Sequence, residues 1–384
     1  MDFTEPGEHL AIREAVRTMA AKFGHDYFVR CTREGRFASE LWDAVFSAGF
    51  GGVNLPERFG GGGGGIAETA IVVEELAAQG CPLIFLIVAG MCGPVIADFG
   101  TPEQQERWLP GLASGQARMA FAITEADAGS NATSIATSAT RDGDTWVISG
   151  AKQYITGLDV AGTVMVVART GTDARGRGLL SLFVVDTDAP GCEFTPIPME
   201  IKAPDHQFSV FLDHVQVPHG RLVGGIPDQG LTQVFSGLNP ERVNVAAQAT
   251  GLGRYFLDKA VGYARERQVW SVPIGAHQGV AHPLAEVKVE LDLARLMAAK
   301  AAWLFDRRQP GAGEAAAVAK LAAADAALHA FDQAVQVHGG NAFASEYGLG
   351  DLWGLTRLMR SAPVSREMVL NYVAQHSLGL PRSY

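Results

Sequence analysis

The sequence predicts an α+β fold in three successive parts: a helical N-terminal domain (residues 1–120), a middle antiparallel β-barrel or sandwich domain (121–228) and a C-terminal antiparallel four-helix bundle (229–384). Two observations carry most of this. The middle of the chain holds β-branched and aromatic runs bounded by Gly, Asp and Pro, with no helical stretch between them, which suits an antiparallel sheet better than an α/β one. The last part has apolar residues recurring three and four positions apart, the period of an amphipathic helix.

In the N-terminal part, Thr101-Pro-Glu-Gln104 combines a capping hydroxyl, a proline at the first helical position and a glutamine three residues on. The run Gly60–Gly65 lacks the lysine of a phosphate loop and is expected to be a flexible corner. The predicted strands are Thr145-Trp-Val-Ile-Ser149, Val164-Met-Val-Val-Ala168, Leu180-Ser-Leu-Phe-Val-Val185 and Ser209-Val-Phe-Leu212. The C-terminal seams run through Leu284, Val287, Leu291, Ala294, Ala298, Ala301 and Phe305, and through Leu321, Ala324, Leu328, Phe331 and Val335.

Composition narrows the function. The chain of 384 residues is 47% hydrophobic and 19% charged, as ordered globular proteins are. Its net charge of −10 has no basic block behind it, which argues against nucleic acid, and an anionic ligand would need local arginines. Four widely spaced cysteines (Cys31, Cys81, Cys92, Cys192) form no CxxC pair, and no metal site is expected. The acidic start Met1-Asp-Phe-Thr-Glu5 lacks the order of a signal peptide. The apolar stretch Cys81–Pro94 is broken by Gly and Pro well short of the ~20 residues that span a bilayer. A cytoplasmic protein away from membranes is expected. No GxSxG or HExxH motif is present and no GxGxxG follows a strand, which disfavours hydrolase, metalloprotease and nicotinamide-dependent readings.

The stretch Phe121-Ala-Ile-Thr-Glu-Ala-Asp-Ala-Gly-Ser-Asn-Ala-Thr133 is an apolar strand that stops at an acidic, small-residue turn, where unpaired backbone groups and hydroxyls can receive a flat polar ring. Four other segments accompany it in order: Leu55-Pro-Glu-Arg-Phe-Gly-Gly61, Lys152-Gln-Tyr-Ile-Thr-Gly157, Arg265-Glu-Arg-Gln-Val-Trp-Ser271 with Gln278, and Gln336-Val-His-Gly-Gly-Asn-Ala-Phe343. Together they resemble the acyl-CoA dehydrogenase family over nearly the whole chain, with Gly157 in place of the family's usual Asn. The resemblance implies an FAD cofactor lying between the β domain and the C-terminal bundle. It implies that Phe121, Ile123, Thr124, Gly129 and Ser130 line the flavin ring and the pantetheine entry, with Tyr154 and Thr156 on the other side. Arg267 would hold the pyrophosphate, and Trp270 and Gln278 the adenosine half. Gln336, Gly339 and Gly340 would meet the ADP portion of a neighbouring subunit's FAD, and Ser365 is a further candidate cofactor residue.

Desaturation of an acyl thioester needs a base over Cα and a hydride acceptor opposite Cβ. Many members of the family carry the base about twenty residues after the GGNGF turn, but here that stretch is Ser361-Ala-Pro-Val-Ser365, with Pro363 at the glutamate position and no backbone N–H to polarise a thioester carbonyl. Isovaleryl- and long-chain-type members place it in an LxxER element, which Leu238-Asn-Pro-Glu-Arg-Val243 resembles. Asn239-Pro240 reads as a helix start with Glu241 in the first turn, where an acid also complements the helix dipole. Glu241 is thus the expected base and Arg242 an expected neighbour of the substrate. Pro363 reads as the first residue of the last helix. The expected partners are an acyl-CoA or acyl-carrier thioester, an electron-transferring flavoprotein and further copies of the chain, in a tetramer. A flavin-dependent oxidase on the same scaffold, or a catalytically incomplete subunit of a heteromeric enzyme, are the alternatives.

Overall fold

The computed structural model describes residues 4–383; Met1–Phe3, Tyr384 and the Thr133 side chain lie outside it. Six helices come first: α1 (Gly7–Ala20), α2 (Gly24–Glu34), α3 (Ser39–Ser47), α4 (Ile66–Ala78), α5 (Ile84–Phe99) and α6 (Pro102–Ser114). Helix α6 begins as its sequence dictates: the Thr101 hydroxyl accepts from the Gln104 N–H at 3.3 Å and the Gln104 carboxamide accepts from the Thr101 N–H at 3.0 Å. The glycine run is an ordered turn and not a flexible corner. The N–H groups of Gly62, Gly63 and Gly64 donate to the carbonyls of Gly52, Leu55 and Val53. A Cβ on Gly61 would fall 2.2 Å from the Leu55 carbonyl oxygen, so glycine here permits close backbone approach.

Seven strands follow in one sheet: β1 (Met119–Ala122), β2 (Ser138–Asp142), β3 (Thr145–Thr156), β4 (Thr163–Thr172), β5 (Gly178–Asp186), β6 (Cys192–Ile197) and β7 (Gln207–Pro218). The expected antiparallel arrangement holds for the pairs β2–β3, β3–β7, β4–β5 and β6–β7. It fails at β4, which pairs in parallel with β1 and at one position with β2. Short hairpins impose antiparallel pairing, whereas β1 reaches β4 only through a long connection and is free to run alongside it. The path β1-β4-β2-β3-β7-β6 is open, with β5 branching from β4.

The C-terminal layer is built on α7 (Gly230–Glu266), α8 (Gln278–Asp306) and α9 (Ala312–His338), followed by α10 (Trp353–Leu358) and α11 (Arg366–His376). A two-residue ribbon, β8 (Gln268–Val269) with β9 (Val272–Pro273), joins α7 to α8. The predicted seam of α8 is buried from Leu284 to Ala301. In α9 the seam is displaced: Leu321, Leu328, Phe331 and Val335 are half-buried, and the buried face is a stripe of alanines that lets α7 approach closely. Helix α7 does not start at Pro240. It runs through that proline, so Glu241 lies about three turns inside it.

Carboxylates from distant elements cap two of these helices. Asp306, at the end of α8, accepts from the N–H groups of Ile66 and Ala67 at the start of α4. Asp205, ahead of β7, accepts from Ile84 and Phe85 at the start of α5, and burial pushes its carboxyl up to about 6. Glu74 and Glu75 of α4 are buried against Arg13 of α1 and Arg254 of α7, each of which donates to both carboxylates at 2.5–3.0 Å. Removing one partner of such a cluster leaves uncompensated buried charge. Arg13→Met is therefore expected to cost about 3 kcal/mol and to lower the thermal midpoint. Arg17→Met, at a half-exposed neighbour, should stay within about 1 kcal/mol of the parent. Equal midpoints for the two variants would contradict this account.

Candidate active site

Strand β1 delivers the Phe121–Ser130 stretch to the sheet, and a buried ion pair fastens it there. Lys152 of β3 is fully buried; its Nζ donates to the Ile123 carbonyl at 3.0 Å and to the Glu125 carboxylate at 2.8 Å. Burial pushes the ammonium down to about 8 although Glu125 favours its charge. Glu125 also accepts from the N–H groups of Ala136 (2.6 Å) and Thr137 (3.0 Å). The Gln153 N–H donates to the Thr124 carbonyl at 2.9 Å. These bonds set Ile123 and Thr124 beside Tyr154 and Thr156.

A register shift between Lys152 and Ile155 gives Tyr154 a φ of +59° and leaves its ring 57% exposed. Thr156 is buried and donates to the Gln207 carboxamide at 3.1 Å, Phe121 is buried, and Gly129 and Ser130 are exposed in the following loop. Gly157 closes the strand at a φ of +73°. A Cβ there would meet the Phe85 ring at 2.5 Å, so the conformation alone would admit Asn but the packing would not.

Glu241 projects from the first third of α7 and, among the described residues, makes no hydrogen bond or ion pair. It keeps partial solvent access. Desolvation pushes its carboxyl up to about 7, against the opposing pull of Arg242 and of Lys320 on α9. The Cys92 thiol of α5 lies close enough to be raised by its charge, in addition to the larger effect of burial. Arg242 donates from Nη1 to Asn239 at 3.1 Å, and its Nε is buried without a partner. First-turn dipole compensation does not explain Glu241, because the turn it occupies has satisfied N–H groups on both sides.

The remaining expected cofactor residues gather at the far end of the helical layer. The Tyr263 ring stacks on His338 with centroids 4.3 Å apart, and Asn341 donates to the Tyr263 hydroxyl at 3.0 Å, tying the end of α7 to the end of α9. Arg267, Trp270 and Gln278 follow α7, and Gln336, Gly339 and Gly340 end α9. The guanidinium of Arg267 and the carboxamides of Gln278 and Gln336 are exposed and unpartnered among the described residues. Trp270 is 85% exposed at a φ of +51°, and nothing lies within 4 Å of a Cβ built on either glycine. A free guanidinium, two free carboxamides, an unpacked indole and open glycines fit the phosphates and base of a flavin nucleotide. Helix rise puts Arg267 roughly 40 Å from Glu241.

The N-terminal, middle and C-terminal domain models of acyl-CoA dehydrogenases match residues 6–116, 120–211 and 228–378. The acyl-CoA dehydrogenase FadE12 of Mycobacterium tuberculosis is 52% identical over 384 residues, covering 100% of this chain and 99% of the relative. The chain belongs to the acyl-CoA dehydrogenase family. Its fold superposes on a glutaryl-coenzyme A dehydrogenase in complex with glutaryl-CoA (TM-score 0.93, 28% identity, 100% and 98% of the two chains). The butyryl-CoA dehydrogenase of Megasphaera elsdenii is similarly close (TM-score 0.92, 27% identity, 98% and 100% covered).

For an acyl-CoA dehydrogenase, the segment after α10 departs from the sequence reading. Pro363 is not the first residue of the last helix; it lies in a loop, after a cis peptide bond, and α11 starts at Arg366. Ser365 caps α11 through its hydroxyl, which accepts from the Met368 N–H at 3.3 Å. Sequence reasoning gave no role to Glu125, Lys152, Asp205 or Lys320. The signal was present for Lys320, a lone cation in the alanine run of α9.

A carboxyl held near 7 instead of the ordinary 4.5 destabilises the folded chain whenever it is ionised. The penalty is absent at low pH, grows as pH rises above about 4.5 and is complete above about 7. Glu241→Gln is therefore expected to raise stability by up to about 3 kcal/mol at pH 8 and by little near pH 5, measured by denaturant unfolding at the two pH values. A pH-independent difference would contradict the assigned environment.

Proposed function

We propose that the chain is an FAD-dependent acyl-CoA dehydrogenase in which Glu241 removes the α-proton of an acyl thioester. One observation carries this reading: the buried acids are paired or capped, whereas Glu241, only half-buried yet desolvated enough to be pushed up, has no partner among the described residues. An acid poised near neutral pH is matched to proton abstraction, and α7 holds it on a rigid element. Arg242 stands next to it with a buried donor free to meet a polar substrate atom. Bound FAD supplies the hydride acceptor, and an electron-transferring flavoprotein is the expected carrier beyond it. Tyr154 and Thr156 offer a flat face and a short hydroxyl to the ring, opposite the Phe121–Ser130 stretch. Pro363 donates no N–H, so the thioester carbonyl relies on other donors.

The separation of Glu241 from Arg267 supports a site shared between copies, because a flavin ring near one protomer's Glu241 leaves its diphosphate far from the same chain's Arg267. Exposed Val289, Leu293, Leu296 and Trp303 on α8 support a homotetramer, as such an apolar stripe favours burial against another chain. We read the domain limits as 1–120, 121–228 and 229–384, with α11 as the fourth helix of the C-terminal bundle.

Anaerobic flavin bleaching by a panel of acyl-CoAs tests the reaction. Reduction should speed up as pH rises through about 7 and then level off, because the base must be deprotonated. FAD-replete Glu241→Gln should reduce its flavin about 10³-fold more slowly. Undiminished bleaching in that variant would move the base elsewhere, and peroxide release in air would favour the oxidase. Separately, Arg267→Leu should purify with most of its FAD lost, read from flavin absorbance per protein. Full FAD retention would remove Arg267 from the site.

A further inference from the structure

A cleft of about 680 Å³ opens where α2 and α7 meet the loop that follows α9, roughly 20 Å along α7 from Glu241. That volume suits a small organic molecule. Two stacked rings line it: His25 of α2 and Tyr255 of α7, with centroids 5.6 Å apart and planes 14° from parallel. Glycines hold the pair closely. A Cβ on Gly80 would fall 2.8 Å from the Tyr255 ring and 3.0 Å from His25 Cβ, and one on Gly348 would fall 2.6 Å from His25 Nε2. The rings have little room to turn toward new partners.

Each ring nevertheless carries an unsatisfied polar atom. Tyr255 is 7% exposed, and its hydroxyl makes no hydrogen bond among the described residues. His25 Nε2 meets the Asp351 carboxylate at 3.2 Å and therefore carries the hydrogen, which leaves Nδ1 a buried acceptor without a donor. Burial lowers the affinity of His25 for a second proton, so the ring stays neutral. An orphan donor and an orphan acceptor on two fixed rings destabilise the fold unless something in the cleft meets them.

The charges around the cleft define what that is. Arg30 and Arg33, one turn apart on α2, make no ion pair among the described residues, and Arg30 overlies the Tyr27 ring. Lys259 of α7 donates to the Tyr347 carbonyl at 2.7 Å and likewise has no carboxylate partner. Of the acids on the lining, Glu34 is held by Arg36 at 2.7 Å and Asp351 by Lys202 at 3.0 Å, and neither of those cations lines the cleft. Three uncompensated cations then face two free acids, Asp26 and Glu346. Paired guanidiniums fork onto phosphate oxygens, whereas carboxylates and a bare imidazole nitrogen accept from hydroxyls.

We propose that this cleft binds a phosphate monoester on a hydroxylated skeleton, a sugar phosphate or a mononucleotide, with its phosphate at Arg30, Arg33 and Lys259 and its hydroxyls at His25, Tyr255 and Asp26. The site is distinct from the proposed flavin residues: Lys259 precedes Arg267 by about two turns of α7, with Tyr263, stacked on His338, between them. It does not depend on Glu241 being the base.

Titration calorimetry on the FAD-replete protein tests this with ribose 5-phosphate, AMP, inorganic phosphate and unphosphorylated ribose. Both esters should bind about tenfold tighter than inorganic phosphate, and ribose should not bind. AMP binding more tightly than ribose 5-phosphate would assign a nucleotide, and equal affinities a sugar phosphate. The double variant Arg30→Ala, Arg33→Ala should weaken binding about tenfold or more. Tyr255→Phe should weaken it about fivefold without lowering the thermal midpoint, because it deletes a hydroxyl that the empty cleft leaves unsatisfied. A merely structural Tyr255 would leave the affinity unchanged. Absence of binding by both esters, equal binding by inorganic phosphate, undiminished binding in the arginine variant, or release of flavin by AMP would each overturn the proposal.

Discussion

Glu74 and Glu75 sit side by side on α4 with almost no access to water, and two carboxylates in that position are tolerable because two guanidiniums bridge them, with Arg17 and Arg295 each adding one longer contact. Arg13 brings in α1 and Arg254 brings in α7, so one cluster of charges joins the first helix, the fourth and the long C-terminal helix. The backbones also touch: a Cβ on Gly251 would fall 2.3 Å from the Glu74 carbonyl oxygen. Arg254 lies midway between Glu241 and Arg267, roughly 20 Å from each along the helix. Fixing α7 at this point sets both proposed functional positions on the rod, the Glu241 carboxylate and the Arg267 guanidinium at the open end of the layer.

The order helix, strand, helix was legible because each segment's hydrophobic period agrees with its final structure, and because five motifs occur in sequence. What the residues concealed was mostly tertiary. Asn239-Pro240 carries a good local signal for a helix start, yet α7 continues through it: its first turns pack on α5 and on β5, where Gly230 lies against Leu180, and that packing outweighs one missing hydrogen bond. In α9 the larger apolar residues suggested the seam, whereas small size decides which face approaches α7. The parallel pairing of β1 with β4 has no local cause and cannot be read from either strand. Glu125 and Lys152 were visible within their motifs, but their pairing joins residues 27 apart that only the sheet brings together.

The buried acids separate by task. Asp205 takes two backbone N–H groups at a helix start, Glu125 takes two as well as an ammonium, and Glu74 and Glu75 take guanidiniums. In each case partners from the fold offset the cost of leaving water. Glu241 has no such offset, which is a poor arrangement for stability and a suitable one for a group that must gain and lose a proton. A carboxylate already bonded to a donor would have to break that bond before accepting a proton.

With Glu241 of α7 as the proposed base, the demands on the Pro363 loop also change. A loop carrying the carboxylate would have to combine mobility with sub-ångström placement, whereas a side chain on a helix packed against α4, α5, α8 and α9 inherits its placement from the core. Proline at the vacated position removes an N–H, and nothing in the loop's attachment calls for one, because α9 grips this loop through a carbonyl and through flanking arginines. Glu241 stands on α7, which packs against the alanine-rich buried face of α9. With Glu241 as the proposed base, its placement is set by how closely α7 and α9 pack: a larger residue in that alanine stripe would disturb the proposed site without touching any polar group in it.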